Sequence, residues 1–207
     1  MSVSYKLISK IYNLMDIIYF KDNDKNPRKI ILNKIPDTPL NVLEIAVGTA
    51  KNIILLAKNK KNLNITGIDM SEDMLKLARK SINKHNTENI TLLNMNAADM
   101  TFGKEEFDII IISLLLHEVE NDLRKKILDG CKRVMKKDGI IFLLEWNEPK
   151  RFFQKLMFST IKIFEPKEFK IFMKLDLFEY FKSLGFCVNN IEYGDYTQVL
   201  EIWNIRI

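Results

Sequence analysis

The sequence predicts an α/β fold built on a doubly wound, mostly parallel sheet of seven strands. Three observations carry that reading. Short apolar runs alternate with longer amphipathic segments along most of the 207 residues, the pattern of βαβ units. A turn of small residues, Ala46 to Ala50, follows the first apolar run. The last two runs are joined by Gly194-Asp195, a hairpin signal that turns the final strand antiparallel to its neighbour.

Residues 3 to 20 place Leu7, Ile8, Ile11, Leu14, Met15 and Ile18 at helical spacing. A short helix follows over Arg28 to Lys34, with Pro27 in its first turn and Pro36 and Pro39 closing it. Asn41 to Ala46 reads as the first strand and Ala50 to Asn59 as the helix after it. Leu63 to Asp69 is the second strand. Ser71 caps the next helix, which buries Met74, Leu75 and Ala78. Asn89 to Asn94 forms the third strand. Phe107 to Leu116 is the most apolar stretch and suits a central strand covered on both faces. Asp122 to Lys136 is a helix, Asp138-Gly139 a turn and Ile140 to Trp146 the fifth strand. Residues 148 to 173 interrupt the alternation as an insertion. Asp176 to Leu184 is a helix ending at Gly185, ahead of strands Phe186 to Tyr193 and Tyr196 to Ile205.

Composition narrows the function. A net charge of +5 comes from lysines scattered along the chain rather than gathered in a block, so no nucleic-acid partner is expected. Cys131 and Cys187 form no CxxC pair, and His85 and His117 are the only histidines. That pattern offers no zinc signature, and no metal is expected. Met1 to Lys10 lacks a basic segment leading into an apolar run, and no stretch reaches about 18 apolar residues, which points to a cytoplasmic protein.

The chemistry gathers at predicted strand ends. The turn at Gly48 opens a helix, where backbone amides face a ligand and a missing side chain permits close approach. Asp69 ends the second strand and is placed to accept from ribose hydroxyls. Asp99 lies just past the third strand, and loops at the carboxyl ends of parallel strands converge on one crevice. A nicotinamide-binding turn would want glycine three residues after Gly48, where Lys51 stands.

Val42-Leu-Glu-Ile-Ala-Val-Gly-Thr-Ala-Lys-Asn52 resembles the first motif of class I S-adenosylmethionine-dependent methyltransferases. Ile68 to Leu75, Asn96 to Met100, Phe107 to His117 and Arg133 to Gly139 resemble the next four motifs, in order. The resemblance implies the Rossmann-like methyltransferase fold as one domain over 1–207, with an N-terminal helical lid over 1–36 and a substrate-side insertion over 148–173. It implies S-adenosylmethionine as cofactor, with S-adenosylhomocysteine as product. Glu44 would orient the turn and reach the methionine amino group. Ala46 and Gly48 would line the methionine part. Asp69 would hold the ribose, Met70 would pack on the adenine, Asp99 would accept from its amino group and Ala98 would offer a backbone amide. Ala46 and Ala50 stand where the family more often has glycine, and a positive φ at either would strain alanine. These alanines also leave open a non-catalytic module that kept the fold.

On the acceptor side, His117 follows the fourth strand as a candidate base or acceptor-positioning group, or as a histidine that bonds a neighbouring loop. Glu118 is the second catalytic candidate. Glu145, Trp146 and Asn147 end the fifth strand on the same side. Tyr5, Tyr12 and Tyr19 share one face of the first helix, either packed on the domain or acting as a lid. Eight of the 13 phenylalanines fall between residues 152 and 181, interleaved with Lys150, Arg151, Lys155 and Lys162. That stripe reads as core, as a lid for a lipophilic acceptor, or as a peripheral membrane contact. A small-molecule substrate is expected, quinone-like, phospholipid-like or a polar metabolite, with RNA or protein as the alternative acceptors.

Overall fold

A computed structural model describes residues 18–205, so the expected helix over residues 3 to 17, with Tyr5 and Tyr12, lies outside the described residues. The order is α1 (Pro27–Lys34), β1 (Asn41–Ile45), α2 (Lys51–Asn59), β2 (Asn64–Asp69), α3 (Glu72–His85), β3 (Ile90–Asn94), β4 (Phe107–Ser113), α4 (Asn121–Val134), β5 (Met135–Trp146), α5 (Phe152–Phe164), α6 (Lys167–Phe172), α7 (Leu177–Ser183), β6 (Phe186–Tyr193) and β7 (Thr197–Asn204). Among the described residues the strands form one seven-stranded sheet in the order β3-β2-β1-β4-β5-β7-β6. β1 to β5 pair in parallel, and β7 runs antiparallel to both β5 and β6.

Local chemistry sets the helix starts. The Asn26 side chain accepts from the Arg28 amide, Ser71 from Met74, and Asp176 from Phe178 and Glu179. The sheet is buried on both faces, which is why β4 reads as an unbroken apolar run. Ile109 and Ile111 pack on one side with Val42, Phe142, Leu144 and Trp146. Ile110 and Ile112 pack on the other with Leu43, Ile45, Leu143 and Phe186.

Two strand boundaries differ from the sequence expectation by three residues or more. β4 stops at Ser113 rather than Leu116, because Leu114 turns into the left-handed region at φ 52°. β5 begins at Met135, which pairs with Phe107, before the register jumps to Ile109 opposite Ile140. Asp138-Gly139 therefore lies within an irregular stretch of the strand instead of a turn ahead of it. The insertion folds as α5 and α6. Its Phe158 is fully buried against Trp146, ring centres 6.1 Å apart, while Phe169 is buried nearby.

Gly67 on β2 marks the tightest approach of helix to sheet. A Cβ there would meet Val47 Cγ2 at 2.9 Å, Leu92 Cδ2 at 3.0 Å and Ile53 Cδ1 at 3.1 Å. Gly67→Ala is expected to destabilise the fold by about 1–3 kcal/mol, the usual cost of overpacking. A lower urea midpoint with an unchanged slope would show it. A variant as stable as the parent would mean that α2 shifts freely.

Candidate active site

The carboxyl ends of β1 and β2 meet at the turn Ala46–Ala50. This turn is wound left-handed three times, at Ala46 (φ 56°), Gly48 (φ 52°) and Ala50 (φ 63°). Glycine adopts that backbone freely, whereas alanine pays roughly 1–2 kcal/mol for it. Both alanines thus occupy the positive φ that the sequence singled out as a strain. Ala50 is fully buried and Ala46 is half-buried.

Asp69 holds this turn together. Its Oδ2 accepts from the Gly48 amide at 2.9 Å and its Oδ1 from the Ser71 amide at 2.8 Å. Each oxygen keeps a second lone pair for a ligand. Asp69 pairs in register with Asn94 at the end of β3, and its carbonyl accepts from Met95. The next turn carries Ala98 and the exposed Asp99. Gly48, Asp69 and Asp99 therefore lie along one edge of three adjacent strands. Met70 is 74% exposed there, an unusual setting for a large apolar side chain. The Ala98 amide already donates to Asn96 Oδ1 at 2.9 Å, so the amide expected to meet the adenine is satisfied inside its own turn.

Glu44 lies on β1 beneath the turn and is 1% exposed. Its Oε1 accepts from Asn52 Nδ2 at 2.5 Å and from Ser113 Oγ at 3.2 Å. Arg28 Nε donates to Asn52 Oδ1 at 2.7 Å. Oε2 is buried with no partner. Burial pushes the Glu44 carboxyl up to about 7, against the hydrogen bonds from Asn52 and Ser113, the Arg28 charge and the nearby Ile53 backbone amide. Sequence reasoning assigned no role to Arg28, Asn52 or Ser113. The one available signal was a serine closing an isoleucine run.

The other half of the edge carries the residues expected on the acceptor side. His117 is 1% exposed, in the segment after β4. Its Nδ1 lies 2.5 Å from Glu145 Oε2 at the end of β5, and its Nε2 3.3 Å from Glu165 Oε2 between α5 and α6. Glu145 Oε1 also accepts from the Leu116 amide at 2.9 Å. Burial alone disfavours a charge on His117, but Glu145 and Glu165 outweigh it and push its pKa up to about 10. Of the roles expected of His117, this arrangement favours a positioning group, since both ring nitrogens face carboxylates of the protein itself. Glu118 is exposed. Its pKa is raised, first by desolvation where it lies against the loop and then by Glu165, Glu145 and Asp69, with His117 opposing. Tyr19 packs edge-on against Trp146 and hydrogen-bonds Met157 O at 3.2 Å and Thr160 Oγ1 at 3.0 Å.

A parallel sheet with β7 inserted antiparallel between β5 and β6, a strained turn after β1 and an acidic residue ending β2 define a class of enzyme. The chain belongs to the class I S-adenosylmethionine-dependent methyltransferases. Residues 42–139 match the model of the methyltransferase domain family. The demethylmenaquinone methyltransferase of Bacillus velezensis is 30% identical over 173 residues, covering 82% of this chain and 73% of that protein. The demethylmenaquinone methyltransferase of Thermotoga maritima is 29% identical over 162 residues, covering 77% and 68%. The structure of an S-adenosylmethionine-dependent methyltransferase from Aquifex aeolicus superposes with a TM-score of 0.74 at 18% identity, over 97% of this chain and 98% of that one. The cofactor is S-adenosylmethionine, and the residues present fit it. The unpartnered Glu44 Oε2 suits an ammonium group, the bare backbone at Gly48 admits close contact, and the exposed Met70 suits an apolar ring face.

Two expectations follow. Glu44 has a folded pKa near 7 against an ordinary 4.5, so the folded state binds its proton more tightly than the unfolded state does. Its effect on stability is most favourable below about pH 4.5 and is lost as pH rises toward 7, by up to about 3 kcal/mol. Glu44→Gln is therefore expected to be more stable than the parent at pH 8, by a margin that narrows toward pH 5, in urea unfolding at both values. A constant margin would contradict the burial argument. Ala46→Gly relieves about 1–2 kcal/mol of strain and adds about 0.4–1 kcal/mol of unfolded-state entropy. It should raise the urea midpoint slightly, whereas a lowered midpoint would mean the turn is not strained.

Proposed function

We propose that this methyltransferase acts on a lipophilic small molecule of the quinol type. The observation that carries the reading is the aromatic packing around His117 at the acceptor end. Phe169 and Phe172 stand edge-on to His117, with ring centres 5.5 and 6.5 Å away. Beside them a cleft of about 280 Å³ mixes apolar residues such as Met173, Leu177 and Ile191 with the polar Asn147, Glu148, Tyr193 and Gln198. The two relatives named for demethylmenaquinone support the same acceptor class.

Bound S-adenosylmethionine supplies an electrophilic methyl group on a sulfonium. The chain's own residues bind, orient and exclude water. Glu44 Oε2 takes the amino group of the methionine part, and Ala46 and Gly48 line that part. Asp69 accepts from the ribose hydroxyls through its remaining lone pairs. Met70 covers the adenine, and Asp99 accepts from its amino group. His117, held by Glu145 and Glu165, fixes the insertion over the acceptor side. Glu118 is the carboxylate free to take a proton from an acceptor hydroxyl or carbon, helped by its raised pKa.

The insertion supports a lid role with a peripheral membrane contact. Phe152, Phe153, Leu156 and Ile163 of α5 are 77%, 80%, 61% and 76% exposed, and Lys150, Arg151 and Lys155 flank them. No helix among the described residues is long and apolar enough to cross a membrane. A cytoplasmic location with access to a bilayer surface suits such an acceptor.

The test is methyl transfer from S-adenosylmethionine to a short-chain demethylated naphthoquinol, read by mass spectrometry. Turnover is expected, and Asp69→Ala should weaken S-adenosylhomocysteine binding about 10- to 100-fold, the worth of charge-assisted hydrogen bonds. Cofactor binding without transfer to the quinol, but with transfer to an RNA or polar acceptor, would overturn the acceptor class.

A further inference from the structure

We propose that His117, Glu118 and Glu165 form a binding site for a divalent transition-metal ion at the acceptor end of the cleft. The site is independent of the acceptor's identity, and it rests on the reading above only in placing the acceptor at this end.

Two chain segments converge there and bring three ligating residues. His117 and Glu118 come from the loop after β4, and Glu165 from the turn between α5 and α6. One ligand atom from each lies within 4.8 Å of the others. The separation of His117 Nε2 and Glu165 Oε2, 3.3 Å, is long for a charge-assisted hydrogen bond, which runs about 2.7–2.9 Å. It matches two ligands sharing one ion. Atoms held about 2.1 Å from a metal at angles between octahedral and tetrahedral lie about 3.0–3.4 Å apart. Glu118 closes the set by a small movement of an exposed side chain that makes no hydrogen bond or ion pair among the described residues.

The surroundings are those of a metal ligand. Glu145 holds Nδ1 of the buried imidazole and spends its second oxygen on the Leu116 amide. It aims Nε2 toward Glu165, as carboxylates orient metal-bound histidines, and a bound ion would take the place of the proton between Nε2 and Glu165, releasing it to solvent. Phe169 and Phe172 wall the ring with apolar surface. Three carboxylates around one imidazole give the cluster an excess of negative charge for a cation to neutralise. One imidazole with two carboxylates suits Zn²⁺, Mn²⁺ or Fe²⁺ better than Ca²⁺. Such an ion would tie the insertion to the sheet and leave a coordination position for an acceptor oxygen, whose proton it would make easier to lose; with the ion bound, Glu118 serves as a ligand in place of the free base it offers without it.

The experiment uses the full chain carrying Cys187→Ser, which removes the exposed thiol, after stripping with a chelator. Zn²⁺ is titrated by calorimetry and Co²⁺ by visible absorption. One ion per chain is expected, with Co²⁺ ligand-field bands. His117→Ala and Glu165→Gln should each weaken binding at least 10-fold, and Glu145→Gln about 10- to 100-fold, as for other groups that orient a ligand. The surface change Glu118→Gln should also weaken it while leaving S-adenosylhomocysteine binding intact, and His85→Ala should leave metal binding unchanged. Absence of saturable Zn²⁺ binding by a chain that binds S-adenosylhomocysteine would overturn the site, as would binding that survives both His117→Ala and Glu118→Gln. Failure of S-adenosylhomocysteine binding alone would count against the methyltransferase reading and leave the metal result to decide this one.

Discussion

The arrangement of the active edge depends on one buried carboxylate. Glu44 sits in the middle of the sheet, 1% exposed, where an ion without partners is costly. Asn52 and Ser113 satisfy one oxygen, and Arg28 braces Asn52 from α1. The second oxygen has no partner. A fold that only needed a stable core would place an apolar residue here. The unpaired oxygen makes sense as a site reserved for a positive group that arrives with the cofactor.

That reservation explains the geometry around it. The chain must leave β1, pass over Glu44 and enter α2 within a few residues. It does so through three left-handed residues, two of them alanines. The strain is held by Asp69, which ties Gly48 and Ser71 to the end of β2, and by the burial of Ala50. At the end of the neighbouring β4, Leu114 makes the same kind of reversal and sends the chain toward His117. Strain therefore gathers at the strand ends that carry the site residues.

The sheet was legible because its strands are apolar runs of the right length, and because Pro27 and Ser71 mark helix starts. The turn at Gly48, Asp69 and the exposed Met70 were legible because the local pattern holds them. What escaped was set by tertiary contact. The start of β5 at Met135 depends on pairing with Phe107, although Lys136 and Asp138 look like turn residues. The Arg28–Asn52–Glu44–Ser113 chain joins four segments that no spacing rule connects. Glu165 meets His117 only because α5 and α6 fold back over the sheet edge. A search for metal patterns along the sequence therefore passes over this cluster.

The carboxyl resonance of Glu44, followed by NMR across a pH titration with and without S-adenosylhomocysteine, addresses the central claim most directly. In the free protein the group should titrate near pH 7, as its burial dictates. With the ligand bound, an ammonium group beside Oε2 should drive the midpoint down into or below the ordinary carboxylate range. A midpoint unmoved by saturating ligand would show that the buried oxygen is not where the cofactor's charge is received.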